Sequence, residues 1–131
     1  MNADKDDFKY KELTEKIIGA FYKVYNTLGH GFLEKVYENA LLLELKKLNL
    51  NVLSQSPIKV VYSNKVIGEY FADVLVEGKV IIEIKAVKSL IAEHEAQILN
   101  YLKASEIEVG LLLNFGHKPE LKRLVFGNNK K

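Results

Sequence analysis

Residues Val80 to Ala86, reading Val-Ile-Ile-Glu-Ile-Lys-Ala, constrain this chain more than any other segment. In an extended backbone Val80, Ile82, Ile84 and Ala86 share one face, and Ile81, Glu83 and Lys85 share the other. A strand that is apolar on both sides belongs inside a sheet. Yet one face carries a carboxylate and an ammonium two residues apart. Charges in such a place are costly unless they are paired or bind a metal. A conflict of this kind between local chemistry and position marks a functional site.

The segment has a partner. Residues from about Ile67 to Val76 are strand-like, and Glu77-Gly78 marks a turn, so the whole reads as a β-hairpin. The loop sets the register. A two-residue turn places Asp73 opposite Ile82, with Glu83 on the other face. A three-residue loop through Lys79 places Asp73 opposite Glu83 on the same face, and a bulge has a similar effect. The sequence leaves these alternatives open.

Around the hairpin the pattern alternates between helix and strand. Leu13, Ile17, Phe21, Val24, Tyr25 and Leu28 predict a helix over about 6–28, its start marked by Asp4, Asp6 and Asp7. Gly29-His30-Gly31 reverses the chain. Leu33, Val36, Tyr37, Ala40, Leu41 and Leu45 predict a second helix over 33–48. Residues 52–62 form a strand in which Pro57 favours an edge position, and Ser63-Asn64 turns it into the hairpin. Ser89 is the expected N-cap of a third helix reaching Ala104. Strands follow at 108–115 and about 121–126, with a polar tail from Asn128. The order α-α-β-β-β-α-β-β predicts an α/β sandwich: a central mixed sheet made of a three-strand meander, a helix crossover and further strands, flanked by helices.

At 131 residues, 48% of them hydrophobic, the chain suits one domain with a real core, expected over about 8–126. No apolar run is long enough to span a bilayer, and the charged N-terminal residues carry no export signal. Cysteine is absent, which excludes thiolate metal sites and cysteine nucleophiles and fits a cytoplasmic protein. A net charge of +2 does not by itself announce a nucleic-acid binder.

If Asp73 and Glu83 meet, they stand about 4 Å apart and repel unless a cation lies between them. The available donors are all oxygens, including the backbone carbonyl of Ile84, so the natural occupant is a hard divalent ion, Mg²⁺ or Mn²⁺. Lys85 then orients water or stabilises charge on a phosphate. Such parts serve phosphodiester hydrolysis.

The triple Asp73, Glu83 and Lys85 resembles the D…E-x-K motif of the PD-(D/E)XK nuclease superfamily. Gly31, Glu34 and Tyr37 match the signature of the GxxExxY family, a branch of it, and Gln97 with Tyr101 match the Q-x-x-x-Y motif of RecB-like nucleases. Gln55-Ser56-Pro57-Ile58 and Leu113-Asn114-Phe115-Gly116 also look like this family. The proline of the superfamily's name is replaced by Ala72. The resemblance covers about Leu13 to Phe126 and implies a restriction-endonuclease-like fold.

It further implies a metal-dependent nuclease acting on nucleic acid, DNA above all. Glu34 would ligate the metal directly or through water, and Gln97 and Tyr101 would contact the substrate or orient the site. The alternative is a catalytically weak nucleic-acid-binding module, or one needing a second copy or a protein partner. His94 reads as a hydrogen-bonded helix residue, His30 and His117 as loop residues, and Tyr37 as core.

Overall fold

The structure, a computed structural model, describes residues 9–131. Its elements are α1 (Lys11–Leu28), α2 (Glu34–Lys47), β1 (Val52–Tyr62), β2 (Lys65–Val76), β3 (Val80–Lys85), α3 (Ala92–Ala104), β4 (Val109–Phe115) and β5 (Pro119–Val125), followed by a short 3₁₀ turn, Asn128–Lys130. The five strands form one sheet in the order β1-β2-β3-β4-β5. The β3–β4 pair is parallel and the other pairs are antiparallel. The parallel step is the one that α3 bridges, as a crossover between parallel strands requires.

The alternation in β3 divides the core in two. Val80, Ile82 and Ile84 pack with Ile17, Phe21 and Leu41 of α1 and α2. Ile81 points the other way, into a smaller cluster with Ile58, Ala72, Ile98 and Leu102 under α3. The larger cluster contains an aromatic stack. Phe115 lies 4.2 Å from Tyr37, nearly parallel, and meets Phe21 edge-on at 4.9 Å. Tyr37 is fully buried, so its hydroxyl needs partners. It donates to Gly29 O at 2.7 Å and accepts Phe32 N–H at 3.1 Å. These two bonds pin the Gly29–Phe32 reversal, where Gly29 and Gly31 have φ of 67° and 112°, onto the first turns of α2.

Three local expectations are corrected, and a fourth, the predicted helix start at Asp6, lies outside the described residues. Among the described residues α1 starts at Lys11. Tyr10, at φ 56°, serves as its N-cap, and its carbonyl accepts Thr14 N–H. Leu33, the residue before α2, and Val36 within it are exposed, and the buried positions are Tyr37, Glu38, Leu41 and Leu45. The helix has turned so that a carboxylate, Glu38, occupies the inner face. Ser89 is not the cap of α3. The helix starts at Ala92, and Ile91 N–H is taken by Nδ1 of His94. Leu90 N–H goes to Glu120 instead, at 3.1 Å, which holds the chain extended past Ser89. Strand β2 begins two residues earlier than expected because Ser63 and Asn64, at φ 49° and 62°, make a tight two-residue turn that pairs Tyr62 with Lys65.

Asn114 fastens the end of β3. It is fully buried, accepts Val87 N–H at 2.9 Å, and donates to Val87 O and Glu120 Oε1, both at 2.9 Å. The segment after Lys85 is thereby tied to β4.

Candidate active site

The hairpin adopts the three-residue loop. Val76 pairs with Val80, Leu75 with Ile81 and Val74 with Ile82. Glu77 and Gly78 take positive φ, and Lys79 N–H closes the turn on Val76 O at 2.9 Å. That register carries Asp73 to Glu83. Backbone pairing stops one step short of them, and the side chains take over the ladder. Asp73 N–H donates to Glu83 Oε2 at 2.9 Å, and Ile84 N–H donates to Asp73 Oδ2 at 2.7 Å.

The neighbouring strand is distorted at the same level. Gln55 has φ 54°, uncommon for a residue with a Cβ, and leaves the β1–β2 ladder between the pairs Ser54–Val74 and Ser56–Ala72. Val74 packs toward α1 and α2, whereas Ala72, of the same parity, packs toward α3. The sheet thus changes face across Gln55 and Asp73. The carboxylates sit at this break, where groups from both sides of the sheet reach them.

Their electrostatics follow from burial and like charge. Glu83 is only 5% exposed. Burial first, and then the Asp73 charge, push its carboxyl up to about 8, with the Asp73 N–H and Lys85 opposing. Asp73 is also raised, by burial and by Glu38 and Glu34, against the hydrogen bonds from Ile84 and Gln55. Tyr101, 5% exposed on α3, is raised by burial and by the charges of Glu83 and Asp73. Burial and mutual repulsion therefore favour a proton on Glu83, and ionising both carboxyls calls for a counter-charge.

The other expected residues fall around this pair. Lys85 Nζ is 3.5 Å from Gln97 Oε1, which joins the end of β3 to α3. Glu34 stands in the first turn of α2, exposed, and its charge reaches both carboxylates. Ile84 is buried and paired with Leu113 of β4. Among the described residues, no three His, Asp or Glu side chains gather as a ready-made metal cage, so Glu34 does not join Asp73 and Glu83 at ligand distance. The donor set still suits a hard cation. Each carboxylate spends one oxygen on the opposite backbone, and the other Asp73 oxygen has only a long 3.5 Å contact to Gln55 Nε2.

Two residues gain a place that sequence reasoning did not give them. Glu38 accepts hydrogen bonds from Ser54 Oγ at 2.9 Å, Gln55 Nε2 at 3.1 Å and Lys35 Nζ at 3.0 Å. It holds Gln55 against Asp73. The available signal was its spacing, one turn after Glu34 and next to the buried Tyr37. Tyr70 of β2 lies against Tyr101 with ring centroids 5.3 Å apart.

The sequence matches the profile of the PD-(D/E)XK nuclease superfamily over residues 11–124. The chain belongs to that superfamily. The mixed five-stranded sheet flanked by three helices is the fold expected of that superfamily. The fold is also similar to the crystal structure of SSO0001, with a TM-score of 0.54 and 19% identity. The match covers 71% of this chain and 50% of that one, so the chain spans about half the length of that protein. None of the curated proteins matches the sequence. Among the described residues, no helix is long and apolar enough to cross a membrane.

Proposed function

We propose that the chain is a metal-dependent nuclease of the GxxExxY branch that hydrolyses phosphodiester bonds in DNA. The observation that carries this reading is the register that sets two carboxyl groups, the half-buried Asp73 and the buried Glu83, face to face beside Lys85. Asp73, Glu83 and the Ile84 carbonyl would hold Mg²⁺ or Mn²⁺, with Glu34 reached through water. When bound, the ion supplies an activated water and neutralises charge on the phosphate.

The chain's own groups do the rest. Lys85 places a positive charge beside Glu83, where negative charge builds up on a phosphoryl oxygen, and Gln97 holds its ammonium toward that place. Tyr101, ordered by burial, provides a neutral hydroxyl at the same rim. Glu38, through Gln55, keeps Asp73 in position. Cleavage of a panel of single- and double-stranded DNA and RNA with Mn²⁺ or Mg²⁺ tests the reading. It requires activity that disappears in EDTA, in Glu83→Ala and in Lys85→Ala while the variants stay folded. Folded wild-type protein that cleaves nothing in the panel would sink it.

A second reading, a module that works only in an assembly, is favoured by one observation. Val61, Tyr62, Val66 and Ile67, at the tip of the β1–β2 hairpin, are all more than half exposed. Sedimentation at increasing concentration decides: a monomer throughout removes self-association as the explanation.

A further inference from the structure

We propose that the groove along α3 receives an unpaired nucleic-acid strand, with a base stacked on Tyr70. This deepens the nuclease reading, on which the identity of the strand rests. Two hollows of about 470 and 460 Å³ adjoin where α3 faces β1 and β2. Tyr70 and Asn100 line both, so the hollows form one groove divided by that pair. The near half is lined by His94, Gln97 and Tyr101, and Gln97 is the partner of Lys85. Gln97 and Tyr101, whose hydroxyl feels the charges of Glu83 and Asp73, thus join this end of the groove to the site. Its far half runs to Val60, Val61 and Lys103, whose ammonium lies 5.4 Å above the Phe126 ring.

Tyr70 is 49% exposed, yet its ring rests on the buried Tyr101, tilted 43°. It offers an aromatic surface already held in place, which is what a stacking platform needs. The exposed amides of Asn100 and Gln97 can both donate and accept, as base edges require. Access to the bases separates an unpaired strand from a duplex. Lys103 and Glu93 line the groove with opposite signs, so it lacks the row of cations by which duplex binders neutralise several phosphates. What the groove offers is an aromatic face, and an unpaired base can stack on it whereas the bases of a duplex are already stacked on one another. Depth argues the same way. Glu83 is almost wholly buried, and a phosphate reaches it more readily from a strand entering the cleft beside α3 than from a duplex lying across it. An apolar protein segment is a poorer match, because amides and an imidazole interrupt the walls.

Fluorescence anisotropy in EDTA tests this, with a labelled short oligothymidylate and a blunt duplex of equal length. Wild-type protein is expected to bind the single strand more tightly. Tyr70→Ala should weaken that binding about tenfold and Tyr70→Phe should restore it, because the ring and not the hydroxyl stacks. Asn100→Ala, on the exposed face of a helix, gives a second weakened variant that does not disturb the Tyr70–Tyr101 contact. Preference for the duplex, or unchanged single-strand binding in both Tyr70→Ala and Asn100→Ala, overturns the proposal. Cleavage assays separate the two readings. Metal-dependent cleavage of blunt duplex as fast as single strand refutes the groove and leaves the nuclease standing. Tyr70-dependent single-strand binding without any cleavage does the reverse.

Discussion

Asp73 and Glu83 each accept a backbone N–H from the strand of the other: Asp73 N–H reaches Glu83 Oε2 at 2.9 Å and Ile84 N–H reaches Asp73 Oδ2 at 2.7 Å. The two carboxylates are therefore part of the hairpin as well as of the site. Neither withdraws from the other's charge without leaving a buried backbone donor unpaired, which costs about 1–3 kcal/mol. Repulsion is held in place by hydrogen bonding, and a bound cation is the natural means of relieving it.

Stability without metal should consequently fall as pH rises. Glu83 titrates near its usual value of 4.5 in the unfolded chain and at about 8 in the fold. Between those values the folded state keeps a proton that the unfolded state has lost. The stabilisation is complete below about 4.5 and is lost as pH climbs toward 8, at up to about 1.4 kcal/mol per pH unit. Thermal melting in EDTA across this window should show the decline, and Glu83→Gln should flatten it. A wild-type profile that rises toward pH 8 would contradict the burial of this charge.

Divalent ions should act in the opposite sense. Binding to the folded state alone raises the melting temperature by mass action. Mn²⁺ competes with protons for the carboxylates, so its effect should be larger at pH 8 than at pH 5. Asp73→Asn and Glu83→Gln should each lose the Mn²⁺ shift. Lys85→Ala should keep it while losing cleavage, because a cation beside the site is no ligand. Equal Mn²⁺ shifts in wild type and Asp73→Asn would exclude Asp73 as a donor.

Most of the fold was legible in the sequence, because it rests on apolar periodicity. The two faces of β3 sort Val80, Ile82 and Ile84 from Ile81 as alternation requires. The meeting of Asp73 with Glu83 was not legible. It depends on whether Lys79 belongs to the turn or to the strand, and Glu77-Gly78 is compatible with both. Glu38 was hidden for another reason. A carboxylate on the inner face of a helix looks like an error of pattern until Ser54 and Gln55, distant in sequence, supply its donors. Ser89 misled because a good capping residue was outcompeted by the long-range bond that Leu90 N–H donates to Glu120.

Glu38 should behave as a positioning residue. Glu38→Ala removes the acceptor that holds Gln55 in its left-handed conformation opposite Asp73. A loss of about 1–2 kcal/mol in stability is expected, with a larger loss of cleavage. Glu38→Gln keeps an acceptor for Gln55 and can donate to Ser54 Oγ, so it should recover most of both. Calorimetry and a cleavage assay on the pair check this. Equal activity in wild type and Glu38→Ala would show that Gln55 needs no anchor.

Two glycine substitutions should move stability in opposite directions. A Cβ on Gly116 would meet the backbone oxygens of Val87 and Lys88 at 2.4 and 3.0 Å. Val87 cannot readily yield, because Asn114 holds both its N–H and its carbonyl. Gly116→Ala should cost about 1–3 kcal/mol, the range for overpacking, and should disturb the segment that follows Lys85. Gly19, inside α1, has no neighbour within 4 Å of such a Cβ, so Gly19→Ala should gain up to about 1 kcal/mol from helix propensity alone. Melting temperatures of the two variants against wild type decide the matter. A Gly116→Ala protein as stable as wild type would mean that Asn114 lets the Val87 backbone shift, and that the end of β3 is not held fixed for Lys85.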